Sequence, residues 1–248
     1  IANHVAIVQK KPVAFFSLEM STPETMCRLI CQLTGLPFKN VYLGKLTPEQ
    51  WARYGKAVET IKKAPLFFDD SFGITVPEIR SKIRKLKEKE DIKLVFIDQL
   101  EQIRSYEGLK THLQYDKITY DIKDLTKEFE IPIILNHQLN RNISNRRYKD
   151  PEPLLSDLNQ AGEKPVTQVW AIRHQKDDAG EILNSRIIML KNRNGPTLTF
   201  PVQFIGERML FSNATTDEEN RYSEQQKYTQ KTLQNNNNND NGIYDMEE

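Results

Sequence analysis

Apolar runs with the length of strands alternate with longer amphipathic segments along most of the chain. The longer segments repeat apolar residues at helical spacing, whereas the short runs are continuously apolar, as in strands that are buried on both faces. Alternating strands and helices are typical of a parallel sheet with helices on both faces. The predicted strands are, in chain order, "PVAFFSL", "PLFF", "KLVFI" and "IPIIL".

Capping signals mark the beginnings of three predicted helices, each with a proline in the first turn. The capping residues are Ser21 or Thr22 in the first helix, and the pairs Thr47 with Gln50 and Thr75 with Glu78 in the next two. A fourth helix, "YDKITYDIKDLTKEF", carries an apolar face of Ile118, Ile122, Leu125 and Phe129.

The first residues, "IANHVAIVQKKP", have the pattern of the second half of an amphipathic helix. Ile1, Val5 and Val8 stand at helical spacing, and Pro12 follows the end of the pattern. We therefore expect the chain to begin inside a domain.

The pattern changes in the last third of the chain. The runs "TQVWAI", "RIIML", "TLTFPVQF" and "RMLFS" follow one another, with turns predicted at Asn194-Gly195 and Gly206-Glu207, which indicates an antiparallel extension of the sheet. From Asn213 onward the sequence is polar and ends in an asparagine-rich run, too poor in apolar surface to fold. We predict one domain over residues 1–212 and a disordered tail over 213–248.

Composition narrows the class of protein. A chain of 248 residues with 38% hydrophobic residues can form one large domain, and a net charge of +1 means that any basic surface must be local. Cys27 and Cys31 lie one turn apart on the first capped helix, where two buried reduced thiols are favoured over a metal pair. Two reduced thiols indicate an intracellular protein, and since no apolar run reaches the length of a membrane helix, we expect no membrane partner.

Polar side chains follow each predicted strand of the parallel sheet, where ligands collect in such folds. These residues are Glu19, Asp69, Asp70, Asp98 and Gln138. A carboxylate there can hold the water shell of Mg²⁺, a second can orient an attacking water, and a glutamine can sense a terminal phosphate. For Asp69 and Asp70 the favoured interpretation is capping of the following helix. For Glu19 and Asp98 it is function, because neither is placed as a cap.

Basic residues cluster in "NRNISNRRYKD", where Arg146, Arg147 and Lys149 could neutralise nucleic-acid phosphates. A solvated loop explains that cluster equally well. In the helix "IRSKIRKLKEKE" the charges alternate with apolar residues, so a solvated face is favoured over a DNA contact. We expect Trp51 and Trp170 to pack in the core or at a subunit interface.

Five motifs in this order resemble those of the C-terminal motor domain of DnaB-type replicative DNA helicases. The motifs are "FFSLEMS", "DDSFGITVPEIRSKIRKLK", "KLVFIDQL", "HQLNR" and "LKNRNGP", and the resemblance covers residues 1–212. It implies a RecA-like α/β fold, ATP and Mg²⁺ as cofactors, and a homo-hexameric ring that moves along single-stranded DNA. It further implies a place at the replication fork. The abundance of Asn, Lys and Ile suggests an AT-rich genome, which leaves a bacterial cytoplasm and a plastid or another organelle both open.

The resemblance also implies roles for individual residues. Glu19 would be the catalytic carboxylate, Asp98 the magnesium aspartate and Gln138 the sensor of the γ-phosphate, while Lys191 and Arg193 would reach into the neighbouring subunit's site. In the loop that faces DNA in the family, the present chain carries Asn159, Gln160, Ala161 and Gly162, so DNA contacts from backbone N–H groups are favoured there over contacts from side chains.

The chain departs from the family pattern at two further places. It contains no G-x-x-x-x-G-K-[ST] phosphate loop, which in the family lies just before the first helix seen here. We therefore expect a truncated sequence that does not hydrolyse ATP by itself, and that lacks the amino-terminal region that binds primase and the helicase loader. Gln99-Leu100-Glu101 also replaces the usual Tyr-Leu-Gln.

Two other functions remain open. One is a non-enzymatic DNA-binding or assembly module that has lost its phosphate loop. The other is a recombinase or clock-type ATPase of the same fold, which fits "SLEMS" and "NRNGP" less well.

Overall fold

The structure, a computed structural model, describes residues 1–104, 111–139, 152–158, 163–177 and 179–216. Its first sheet contains β1 (Val13–Ser17), β2 (Leu66–Asp69), β3 (Leu94–Asp98) and β4 (Ile133–Leu135). The strand order is β2-β1-β3-β4, and every pairing is parallel. The predicted parallel sheet is therefore confirmed.

Five α-helices accompany these strands in the described part of the chain: α1 (Thr22–Thr34), α2 (Phe38–Tyr42), α3 (Pro48–Lys63), α4 (Val76–Glu90) and α5 (Thr111–Glu128). The predicted capping signals at α1, α3 and α4 are confirmed as capping boxes, with Ser21 rather than Thr22 as the cap of α1. Helix α1 ends at Gly35, whose φ of 69° lies in the left-handed region that glycine adopts without strain.

Successive residues of a strand point to opposite faces of the sheet. Because the strands are largely apolar, both faces of the parallel sheet are apolar, and helical segments cover each of them. On one face, Ala14, Phe16 and Ile97 pack against the apolar stripes of α4 and α5. On the other face, Val13 and Phe96 pack against the N-terminal segment. The basic residues of α4 lie on its solvent side, where Arg80 and Arg84 pair with Glu128, as the amphipathic pattern predicts.

The N-terminal segment is helical at His4–Val8, but the predicted buried stripe was wrong. Ala2 and Ala6 are buried, whereas Ile1 and Val8 are 71% and 66% exposed. The hydrogen bond from the Gln9 N–H to the His4 carbonyl closes a wide π-type turn, which contains more residues than an α-helical turn, so Val8, seven residues after Ile1, no longer falls on the face that the α-helical spacing predicts. The small alanines allow this turn to lie close against the sheet.

The last strands form a second, antiparallel sheet of β5 (Gln168–Lys176), β6 (Ile182–Asn192), β7 (Thr199–Ile205) and β8 (Leu210–Asn213), in sequence order. The predicted antiparallel C-terminal strands are thus confirmed, but in the described structure they pair with one another as a separate sheet instead of extending the parallel one. Most of the predicted tail, residues 217–248, lies outside the described residues.

The loop between β6 and β7 is longer than the two-residue turn predicted at Asn194-Gly195. The Asn192 side chain organises it, because its oxygen accepts the Asn194 N–H at 3.1 Å and its amide donates to the Pro196 carbonyl at 3.0 Å. These bonds favour a wider connection. The predicted turn at Gly206 is a short 3₁₀ turn, Gly206–Arg208.

The cysteines and the tryptophans differ in burial. Cys31 is buried in the cluster formed by α1, α2 and α3, where burial raises the pKa of its thiol to about 11, while Cys27 is half-buried. Trp51 and Trp170 are 47% and 49% exposed, so the prediction that they pack in the core was wrong, and the interface alternative stays a prediction. Within the described ranges, no helix is long and apolar enough to cross a membrane.

Candidate active site at the ends of the parallel strands

Three of the predicted site residues follow adjacent strands of the parallel sheet. Glu19 follows β1, Asp98 ends β3 and Gln138 follows β4. Strands β1 and β3 are joined beyond their ends, because the Leu18 and Glu19 N–H groups donate to the Asp98 carbonyl at 2.7 and 3.2 Å. The sequence-based expectation that these side chains share one edge of the sheet is therefore met.

The Asp98 carboxylate is oriented by Asn136, a residue that sequence reasoning missed. The Asn136 amide donates to Asp98 Oδ1 at 2.9 Å. The Asn136 backbone is fixed as well, because its N–H donates to the Ile97 carbonyl at 3.0 Å and its carbonyl accepts the Leu100 N–H at 2.9 Å. The sequence did contain a signal for Asn136, because it is the polar residue that directly follows the apolar run of β4. The Asp98–Gln99 peptide bond is cis.

Glu19 is exposed on a turn that its neighbours hold in place. The Ser17 hydroxyl donates to the Met20 carbonyl at 2.7 Å and lies 3.1 Å from the Thr25 hydroxyl. Within the described part of the chain the Glu19 carboxylate makes no hydrogen bond or ion pair. It is thus available to orient a water molecule.

Gln138 is held through its backbone. Its N–H donates to Glu101 Oε1 at 2.9 Å, and the same oxygen lies 2.8 Å from His137 Nδ1. Burial acts to raise the pKa of Glu101, but the contacts with His137 and with the Gln138 N–H outweigh it and lower the pKa. Glu101 is therefore ionised at neutral pH, and the hydrogen bond from the Gln138 N–H has a charged acceptor.

Asp69 and Asp70 have structural contacts. Asp70 Oδ2 accepts the Thr22 N–H at 2.9 Å, and this backbone hydrogen bond is the main cause that lowers the pKa of Asp70. Asp69 pairs with Lys82 of α4 and accepts the Ser71 N–H at 3.1 Å. The favoured interpretation, that these acids cap the helix that follows them, was wrong for Asp70, which bonds the first turn of α1, a helix that precedes it in the sequence. Asp69 was not placed correctly, since it joins β2 to α4 by an ion pair.

Lys191 and Arg193 lie at the end of β6, on the second sheet. Both side chains contact the same short segment, because Lys191 Nζ donates to the Glu163 carbonyl and Arg193 Nη2 donates to the Lys164 carbonyl. The Arg193 N–H also donates to the Thr167 carbonyl at 3.0 Å. The two cations therefore bind consecutive carbonyls of their own chain, a contact that the sequence did not indicate.

The six predicted DNA-binding residues lie outside the described residues. They are Arg146, Arg147, Lys149, Asn159, Gln160 and Gly162. Between the two undescribed stretches, Glu152 is anchored by Arg186 at 2.9 Å and lies 3.8 Å from Arg173, and both arginines are buried. The chain is thus tied to the second sheet next to both predicted DNA-binding stretches.

Asp98 suits a magnesium ion that is held through water. The described ranges contain no group of three or more His, Cys, Asp or Glu side chains that could enclose a metal ion. Asn136 occupies Oδ1 of Asp98, and Oδ2 accepts no hydrogen bond from the described residues. One carboxylate at a strand end fits Mg²⁺, which keeps most of its waters and takes its other ligands from substrate phosphates.

Comparison with known proteins adds an independent line of information. The sequence profile of the DnaB-like helicase C terminal domain matches residues 1–213. The replicative DNA helicase DnaB of Geobacillus stearothermophilus is 32% identical over 220 residues, which make up 86% of this chain and 48% of that protein. The chain spans about half the length of the curated relatives it matches.

Two solved structures have the same architecture. One of them, an ATPase domain, aligns with a TM-score of 0.78 and 25% identity over 84% of this chain and 76% of that one. The other, a DnaB-like replicative helicase described together with its interactions with primase, aligns with a TM-score of 0.76 and 26% identity over 84% of this chain and 52% of that one. These likenesses confirm the predicted RecA-like fold.

Proposed function

The chain belongs to the DnaB-like helicase C terminal domain family, and from this premise we propose that it is the motor part of a replicative DNA helicase. In the proposed activity, ATP hydrolysis drives movement along single-stranded DNA and unwinding of the duplex. The observation that carries the proposal is the meeting of Glu19, Asp98 and Gln138 at the ends of three adjacent parallel strands.

Each of these residues has a distinct task in the proposed hydrolysis. Glu19, exposed and unpaired in the described part, accepts a hydrogen bond from the attacking water. Gln138 donates its side-chain amide to the γ-phosphate. Asp98, fixed by Asn136, holds Mg²⁺ through water, and the ion supplies positive charge beside the β- and γ-phosphates.

We further propose that the motor works as a homo-hexameric ring, in which Lys191 and Arg193 serve the site of the adjacent subunit. Lys191 and Arg193 lie at the end of a strand of the second sheet, whereas Glu19 and Asp98 lie at strand ends of the first, and this placement is compatible with action on another subunit. The solved relative that interacts with primase supports primase as a partner, contacted through a region outside this chain. A helicase loader and a place at the replication fork belong to the same proposal.

The first test concerns Asp98. The experiments use a full-length protein with a phosphate loop before the present chain, because these 248 residues contain none. Asp98→Asn keeps the shape of the side chain and the acceptor for Asn136 but removes the charge. We expect hydrolysis at limiting Mg²⁺ to fall by roughly 10², with the thermal midpoint of unfolding nearly unchanged.

Asp70→Asn is the matched control, because Asp70 lies at the same edge of the sheet but bonds the Thr22 N–H. Its magnesium titration should match that of the unmodified protein. If Asp98→Asn also leaves the titration unchanged, Asp98 has only a structural role.

The second test concerns DNA. Replacing Arg146, Arg147 and Lys149 together with alanine should weaken binding to single-stranded DNA and lower the slope of log K against log salt by about 2, at about 0.7 for each lost phosphate contact. A control triple of exposed lysines, Lys56, Lys63 and Lys85, loses the same charge and should keep the slope. An unchanged slope in the first triple would assign those residues to a solvated loop.

The non-enzymatic alternative makes a different prediction about the full-length gene product. A coding region that contains G-x-x-x-x-G-K-[ST] before Ile1, together with ATP hydrolysis stimulated by DNA, supports the motor. A full-length protein that binds DNA but lacks both that motif and hydrolysis supports an assembly module.

A further inference from the structure

Gln138 needs a fixed position if it is to sense a phosphate, yet the sheet ends before it. Strand β4 is short, and its last pairing with β3 joins Leu135 to Ile97. Gln138 is exposed and lies three residues beyond, in a segment without regular secondary structure. Something other than the strand ladder must therefore hold its backbone.

Glu101 supplies that support. It lies in the 3₁₀ turn Leu100–Gln102 directly after β3, and its Oε1 accepts the Gln138 N–H at 2.9 Å. Asn136 is bonded to both Ile97 and Leu100, so the contact between the chain after β4 and the chain after β3 extends one residue beyond Leu135. The Glu101 carboxylate extends this contact to Gln138, where it accepts the N–H that a strand carbonyl would otherwise accept.

His137 packs against Glu101 on the side that faces the core. Its side chain is 9% exposed, its Nδ1 lies 2.8 Å from the same Glu101 oxygen, and its ring meets the Tyr115 ring of α5 edge-on at 5.9 Å. Asn136 and Gln138, on either side of His137 in the sequence, are both exposed, so the Gln138 side chain lies on the solvent side of this segment. The sequence departs from the family at Glu101, and the structure gives this acid a defined contact.

The Glu101 carboxylate fixes the position of Gln138 at a cost in folding stability. The second carboxylate oxygen, Glu101 Oε2, is buried without a hydrogen-bond partner in the described structure. A buried, incompletely paired carboxylate costs free energy of folding. The other oxygen, Oε1, accepts the N–H of Gln138, a residue of the proposed site, so positioning of Gln138 accounts for a charge at this place better than stabilisation does.

From these contacts we propose that Glu101, backed by His137, is a positioning residue that holds Gln138 toward the γ-phosphate. The inference rests on the proposed ATP hydrolysis. A displaced amide would fail to meet the terminal phosphate, whereas contacts with the rest of the nucleotide would persist. Loss of Glu101 should therefore lower kcat without weakening the binding of ADP.

The test compares Glu101→Ala, Glu101→Gln, Gln138→Ala and the Glu101→Ala/Gln138→Ala double variant in the full-length protein. We expect Glu101→Ala to lower kcat by about 10- to 100-fold, the size of effect that a small misplacement produces. The Kd of ADP should stay within about twofold. Glu101→Gln keeps an acceptor for the Gln138 N–H and should restore most of kcat. The double variant should be no slower than Gln138→Ala, because both changes remove the same interaction.

Glu101→Met fills the space without an acceptor and replaces Glu101→Ala if the alanine variant does not fold. Glu128→Ala, which removes an ion-paired acid far along α5, is the control and should retain kcat. Equal losses in kcat and in ADP affinity, or additive losses in the double variant, would overturn the positioning role of Glu101. Full activity of Gln138→Ala would instead reject the sensor assignment in the proposed function, and the positioning role with it.

Discussion

Replacing Arg193 with alanine in the full-length protein should lower ATP hydrolysis by about 10³ to 10⁵, the range commonly found for an arginine that acts in trans in phosphoryl transfer. Nucleotide binding by each subunit should remain nearly intact, because Glu19, Asp98 and Gln138 belong to the other sheet. Unwinding should be lost with hydrolysis. Steady-state hydrolysis and the binding of a labelled nucleotide measure the two quantities separately.

The structure explains why Arg193 is poised for such a role. It is the first residue after β6, it is exposed, and among the described residues its guanidinium bonds one backbone carbonyl, that of Lys164. A guanidinium carries five N–H donors, so one carbonyl leaves most of them available for a phosphate. Arg193→Lys keeps the charge but not the fork of donors and should recover only part of the rate. Arg208→Ala removes an exposed arginine of the same sheet and should have no effect on the rate.

A mixing experiment distinguishes action in trans from action within one subunit. Subunits with Arg193→Ala are combined with subunits that carry Glu19→Gln. Where an intact Glu19 meets an intact Arg193 from its neighbour, hydrolysis should return, although neither variant is active alone. Full activity of rings built only from Arg193→Ala subunits would reject the assignment in trans and weaken the case for an oligomeric motor.

Local signals predicted most of the architecture. Capping residues at Ser21, Thr47 and Thr75 and the continuous apolar runs depend on neighbours in sequence, so they could be interpreted without a structure. We could predict that Glu19 and Asp98 lie at one edge of the sheet, because the carboxyl ends of parallel strands meet at the same edge. This prediction requires only that the end of each strand be recognised in the sequence.

Contacts between distant segments could not be predicted in this way. Asn136 meets Asp98 across 38 residues, and Gln138 meets Glu101 across 37. The carbonyl partners of Lys191 and Arg193 are equally remote in sequence. The face of the N-terminal segment was misassigned because a π-type turn changed the spacing. The exposure of both tryptophans likewise depends on which other elements pack beside them.

Replacing Glu19 with glutamine should produce a ring that binds ATP but hydrolyses it about 10² to 10⁴ times more slowly, since that is the usual contribution of a general base. Glutamine preserves the size of the side chain, and the turn that carries it is fixed by Ser17 and Thr25 rather than by Glu19, so the fold should be unaffected. A ring that retains ATP should also dissociate slowly from single-stranded DNA, which a filter-binding chase measures. Glu207→Gln, at an exposed acid of the second sheet, should hydrolyse ATP at the unmodified rate. Normal hydrolysis by Glu19→Gln would place the base elsewhere. The exposed Glu19 carboxylate, which has no partner among the described residues, would then have to be explained by something other than water activation.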